Sequence, residues 1–223
     1  TVSQYTQGWG GNNSSSVTQD GVSNSATVQQ RGWWGGNTSE ISQEGLGNDA
    51  DAFQNGTNNS AELSQSGYFN TSDSQQIGNY NVLVVDQEGS KNTASTYQNG
   101  WNNYANVSQD GFGNASDVVQ DGTINIVDVL QDGTKHTSDI TQSGFNNTAS
   151  VDQGGSFNDS LIVQSGKMNV AEVLQRDAKN ASDISQEGFN NSASVDQAGS
   201  FNDSVIVQEG KQNVAEVLQR DLK

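Results

Sequence analysis

Glutamine recurs in this chain at a fixed interval. From Gln43 to Gln219 one stands at every eleventh position, through sixteen consecutive intervals. The series begins earlier, at Gln7, Gln19 and Gln30, where the spacings are 12, 11 and then 13. Such a repeat constrains the fold more than composition does, because each unit must be one module that stacks on its neighbours. Counted from Gln, Asn stands six residues earlier in 18 of 20 units, with Thr1 and His136 the exceptions. Ala or Ser stands four earlier in 18 of 20, interrupted by Leu83 and Val127. Val, Ile or Leu stands two earlier in 16 of 20, and Gly two later in 17, with Trp9, Asp177 and Asp221 departing. The unit reads N-x-[AS]-x-[VI]-x-Q-x-G-x-x.

The fixed positions fall at every second residue, the period of a strand rather than a helix. Asn, the small residue, the β-branched residue and Gln therefore share one face, and the variable, often charged residues share the other. The span from Asn to Gln predicts a strand of roughly 23 Å. The remaining residues predict a turn whose Gly adopts a backbone conformation other residues resist. One such strand buries nothing alone; two that face each other across a thin interior make a 22-residue rung. Alternation at the small position (Ser138, Ala149, Ser160, Ala171, Ser182, Ala193, Ser204, Ala215) distinguishes the two walls. Residues 138–177 and 182–221 match at 33 of 40 positions, a duplication of two rungs. The expectation is an all-β, two-strand-per-rung, cross-β solenoid of about ten 22-residue rungs. It forms one unit over residues 1–223, with longer turns within 8–36.

Rungs stacked about 4.8 Å apart put like residues over like. Asn and Gln then form ladders in which each amide bonds the copies above and below, so a polar interior is tolerated. The expected core ladder includes Asn48, Ala50, Gln54, Asn92, Ala94, Gln98, Asn114 and Gln120. It continues through Asn147, Ala149, Val151, Gln153, Asn169 and Gln175 to Asn191, Ala193, Val195, Gln197, Asn213 and Gln219. Gly45, Gly89, Gly111, Gly144, Gly188 and Gly210 are the expected turn residues.

Composition excludes other classes. Only 30% of residues are hydrophobic, too few for an ordinary globular core, and without the repeat the chain would read as disordered. A net charge of −17 argues against nucleic acid or anionic lipid as a partner. No apolar run is long enough for a transmembrane helix, and no signal peptide is visible. With no Cys, the redox compartment is left open.

A solenoid stays monomeric when its ends are capped. Here the first strand is expected to start in phase at Thr1 and the last to end at Gln219, with no evident cap. There is no Pro to block an edge. Gln7, Gln19, Gln208 and Gln219 are the expected polymerisation edges, where head-to-tail addition of a second copy continues the ladders into a filament. The outward acids Asp117, Asp128, Asp139, Asp152, Asp183 and Asp196 oppose stacking, so acid or salt should accelerate assembly.

The repeat resembles the curlin repeat of curli fibre subunits, Q-x-G-x-x-N-x-A-x-x-x-Q. It appears as Gln43, Gly45, Asn48, Ala50, Gln54; as Gln87, Gly89, Asn92, Ala94, Gln98; and as Gln186, Gly188, Asn191, Ala193, Gln197. The resemblance covers essentially the whole chain. It implies a secreted, extracellular, cell-surface amyloid fibre of the biofilm matrix that mediates adhesion. The implied partners are further copies of itself, a nucleator subunit, an outer-membrane secretion pore and periplasmic chaperones. The regularity of the units is more like the major subunit than the nucleating minor one. Asn in both walls, as at Asn37 and Asn180, departs from the Ser common in curlin, and a Gly-rich segment before the repeats is not seen. Arg176-Asp177 and Arg220-Asp221 replace the turn Gly.

His136, the sole His, is read as standing in for a ladder Asn, since one His makes no zinc site. The acidic face is read as solvated, because the calcium-binding nonapeptide of other solenoids is absent. The Asn37-Thr38-Ser39 sequon is a by-product of the period. Trp9, Trp33, Trp34 and Trp101 sit in turns, as adhesive contacts or packing between fibrils. No nucleophile, acid–base pair or phosphate loop suggests an enzyme, and no cofactor or metal is implied. The competing reading is a monomeric ice- or surface-binding solenoid, which calls for a flat outward Thr ladder; Thr141, Ser185, Val163 and Val207 do not form one.

Overall fold

The computed structural model describes residues 2–9, 12–33 and 35–220, with side chains from residue 12 onward except that of Trp33. The chain winds through twenty strands. The odd ones are β1 (Val2–Trp9), β3 (Ser25–Trp33), β5 (Asp49–Thr57), β7 (Thr71–Asn79), β9 (Thr93–Trp101), β11 (Ala115–Thr123), β13 (Thr137–Phe145), β15 (Asp159–Lys167), β17 (Ala181–Phe189) and β19 (Asp203–Lys211). The even ones are β2 (Ser14–Val22), β4 (Thr38–Leu46), β6 (Ser60–Tyr68), β8 (Val82–Ser90), β10 (Tyr104–Phe112), β12 (Ile126–Thr134), β14 (Thr148–Ser156), β16 (Val170–Arg176), β18 (Ser192–Ala198) and β20 (Val214–Arg220). All odd strands form one ten-stranded sheet and all even strands another. Every pairing is parallel and sequential, so each odd–even pair is one rung of a β-solenoid. No helix occurs among the described residues.

Burial alternates along each strand, as Thr38–Leu46 illustrates with Ser39, Ile41 and Gln43 inside. The interior holds one apolar column of Ala, Val, Ile and Leu flanked by columns of Asn and Gln. One pair of exceptions to the repeat is complementary in size. Leu83 replaces a small residue, and Ser74, equidistant from the intervening arc on the facing strand, replaces a β-branched one.

Two features differ from expectation. Strands begin one residue after Asn and run past the Gly, so only two residues, such as Gly47 and Asn48, lie outside them. Asn belongs to the arc because its side chain closes it, as described below. The second difference concerns β1. The repeat phase sets Gln7 in the column of Gln30, whereas the observed pairing sets Thr6 opposite Gln30 and Gln7 opposite Arg31. This register brings Gly8-Trp9 against Gly32-Trp33, which keeps the two lengthened turns in step. β2 pairs with β4 in phase, Gln19 opposite Gln43, across the same 24-residue offset that the long turns impose.

Candidate functional site

Three kinds of side chain make the stack continuous: Gln, Asn and the arc Gly. The Gln of each inner rung is held by three bonds, as Gln120 illustrates. Gln120 Nε2 donates to Gln142 Oε1 one rung on (3.0 Å) and to the Tyr104 carbonyl on the opposite wall (2.9 Å). Its Oε1 accepts from Gln98 Nε2 one rung back (2.9 Å). Both amide hydrogens and the oxygen are thus satisfied in a site without water access, and the same bonds tie the two sheets together. The pattern runs from Gln30 to Gln208 in the odd sheet and from Gln19 to Gln219 in the even one.

Asn organises the arcs. The Asn114 backbone N–H donates to Asn92 Oδ1 (3.0 Å), and Asn114 Nδ2 donates to the Asp110 carbonyl (2.9 Å) and to that of Gly133 in the next rung (3.4 Å). That Gly must be Gly. At Gly111 φ is +114°, and a Cβ would collide with the carbonyl of Gly133 above it. Asn and Gly therefore work as a pair, Asn reading the carbonyl that Gly leaves accessible.

Asn48, Asn92, Asn114, Asn147, Asn169 and Asn191 are buried with their partner Gln54, Gln98, Gln120, Gln153, Gln175 and Gln197. So are Ala50, Ala94, Ala149, Ala193, Val151 and Val195. Asn213 and Gln219, in the last described rung, are half-buried. Gly45, Gly89, Gly144, Gly188 and Gly210 share the positive φ of Gly111. Gln19, Gln208 and Gln219 lie on edge strands of the described sheets; the side chain of Gln7 lies outside the described residues.

His136 is fully buried in the Asn column and copies the carboxamide. Its Nε2 is 3.2 Å from the Asp132 carbonyl, and its Nδ1 accepts the Asn158 N–H (3.3 Å). The accepting Nδ1 assigns the proton to Nε2, which gives a neutral ring. Burial lowers its pKa from 6.5, more than the hydrogen bonds to Asp132 and Gly155 raise it.

Several interactions escape a reading by single units because their partners stand about two units apart. Arg176 (2.7 Å) and Arg220 (3.3 Å) both bond Asp196, linking β16, β18 and β20. Desolvation pushes the Asp196 carboxyl up, but the bonds and charges of the two guanidinium groups outweigh it and hold it below its ordinary value. Asp177, in place of the arc Gly, accepts the Gly199 N–H (2.9 Å) at a strained φ of +73°. Cations lie over rings one rung further on: Arg31 over Phe53, Lys91 over Phe112, Lys135 over Phe157 and Lys179 over Phe201. Trp101 packs edge-on against Tyr80 with centroids 6.2 Å apart. A 22-residue lag, applied to the variable positions as well as the fixed ones, would have found Asp177–Gly199, Arg31–Phe53, Lys135–Phe157 and Lys179–Phe201; the others fall at lags of 20, 21 and 24. Among the described residues no group of His, Cys, Asp and Glu could hold a metal ion, and no helix is long and apolar enough to cross a membrane.

The ladders have direction. From Gln19 to Gln197 the ladder Nε2 donates toward the C-terminal end of the stack, and the Asn Oδ1 of the same rungs accepts from that side. A rung therefore presents Gln donors and Asn acceptors on one side, and the complementary set on the other.

A family model described as curlin associated repeat matches residues 56–89, 125–155, 144–176 and 179–210, together more than half of the chain. No curated protein matches it.

Proposed function

The chain belongs to the curlin associated repeat family, and from that premise we propose that it is a structural subunit of an extracellular amyloid fibre, growing head-to-tail as biofilm matrix and serving in surface adhesion. The family and the solenoid fold are structural rather than catalytic in character. The observation that carries the reading is the direction of the amide ladders. A second copy stacked head-to-tail meets Gln donors with Gln acceptors and Asn acceptors with backbone donors. A copy stacked head-to-head meets donor with donor, which leaves buried amides unpaired at about 1–3 kcal/mol each. Growth is thus polar, and Gln19, Gln208 and Gln219 are the ladder groups at the junction. The whole chain acts as one solenoid unit, as the bulk building block rather than the nucleator. A nucleating subunit, a secretion pore and chaperones are the partners that the reading entails.

X-ray fibre diffraction on protein left to assemble at neutral pH tests this. Reflections near 4.7–4.8 Å and about 10 Å are expected, from stacked rungs and facing sheets. Assembly should also depend on protein concentration. A folded sample that stays monomeric and clear at high concentration would overturn the reading.

A further inference from the structure

Charge is sorted by position around the rung. The outward positions between Asn and Gln carry sixteen carboxylates and no basic residue. Every lysine of the chain stands three or four residues after a Gln, at the arc, and no acid does. The sheets are therefore acidic faces, and the lysines are confined to the ridges formed by the arcs, where Glu88, Asp110, Asp132 and Asp177 also stand. On the ridge formed by the even-to-odd arcs, exposed Lys91, Lys135 and Lys179 lie within 5.4 Å of the ring centroids of Phe112, Phe157 and Phe201. These rings are only partly covered by their own chain, and Phe201 is 74% exposed. A cation over a half-exposed ring forms an amphipathic knob that gains by being covered.

We propose that this ridge docks on the acidic outer face of the odd sheet of a second copy, pairing filaments side by side. This rests on the fibre reading above. Lys135 and Lys179 are two rungs apart, as are Phe157 and Phe201. So are Asp139 and Asp183, and Asp159 and Asp203, on the odd sheet. Ridge and face thus share a spacing of roughly 9.6 Å, and one matched contact repeats along the filament. The face is the complement of the ridge because its carboxylates crowd one another: Asp117 stacks directly on Asp139, and Asp159 stands beside them. In a chain of net charge −17, these lysines are the cations that can face the carboxylates of a second copy.

The test compares two variants of equal charge change, Lys135→Glu with Lys179→Glu, and Lys167→Glu with Lys211→Glu, the latter on the opposite ridge. Seeded elongation is read separately from filament width in electron micrographs. The first variant should elongate at the native rate as single filaments of roughly half the paired width, and the second should pair as the native protein does. Adding Asp139→Lys and Asp183→Lys to the first variant should restore pairing. Equal loss in both variants would reduce the effect to net charge and overturn the proposal, as would undiminished pairing in the first. Native filaments that stay single while the ridge retains an added sulfated polysaccharide would also overturn it, assigning the ridge to a polyanion. Failure of the native chain to elongate is a different result, which removes the fibre reading itself.

Discussion

At the scale of the residue, the interior is selective about which polar groups it satisfies. The amides of the inner rungs are saturated, whereas Gln30 Oε1 and the hydroxyls of Ser116, Ser138, Ser160, Ser182 and Ser204 in the odd sheet are buried without a partner. An unpaired buried hydroxyl costs about 1–3 kcal/mol, and Ala removes it with little change of volume. Ser160→Ala should therefore stabilise the chain by about 1 kcal/mol, read as a higher denaturant midpoint; a lower midpoint would mean that the hydroxyl finds a partner. His136 keeps the partners of a ladder amide but can titrate. Its folded-state pKa lies below 6.5, so the unfolded chain takes up the proton first as pH falls. The neutral ring's contribution is fully present above that value and is lost as pH falls from 6.5 through the folded pKa. Protonation would also set an Nδ1–H against the Asn158 N–H. His136→Asn should flatten the stability profile across this window, and an unchanged profile would refute the assignment.

At the scale of the element, the arc sets the rules. Most carry two positive-φ residues, the Gly and the residue just before Asn, as Gly122 and Ile124 do. The second position holds varied side chains, among them Phe69, Lys91 and Ile124, and carries backbone strain. Ile124 sits there with φ of +57°, a conformation that β-branched residues avoid at roughly 1–2 kcal/mol. Ile124→Gly should recover about 1 kcal/mol of it, measured by equilibrium unfolding. Gly111→Ala should do the opposite and more severely, since both the positive φ and the carbonyl of Gly133 oppose a Cβ. Broken packing at that rung should appear as loss of the amide-exchange protection of Asn114 and His136. Retained protection would show that the arc can open to take a side chain.

At the scale of the whole molecule, a column of like residues multiplies charge repulsion as readily as hydrogen bonding. Asp139 illustrates it: partial desolvation, then Asp117 and Asp159, raise its pKa above 3.8. The folded state therefore holds a proton more tightly than the unfolded one. The penalty is fully present at neutral pH and is relieved as pH falls through the raised value toward 3.8. Asp139→Asn should stabilise the stack at neutral pH. Acid or added salt should shorten the assembly lag of the native chain by the same relief, and a lag insensitive to both would exclude repulsion as the brake. The acid branch should be clearest in the His136→Asn background, where the opposing histidine contribution is absent.

What the amino-acid sequence determined by itself is what repeats locally. A two-residue alternation within an eleven-residue unit specifies strands, the inward face and the stacking of like on like, because these depend only on neighbours along the chain. The Asn and Gln columns and the role of the Gly were legible for that reason. Tertiary structure decided whatever depends on how many residues each turn consumes and on which wall a partner occupies. The placement of Asn in the arc follows from its bond to a carbonyl 19 residues on, and the tie between the walls from the Gln bond to a carbonyl 16 residues back. The β1 register is set by stacking two lengthened turns rather than by the phase of Gln7. The gathering of the outward acids and the arc lysines into continuous columns emerges only when the chain is wound, since winding brings positions 22 residues apart into one surface.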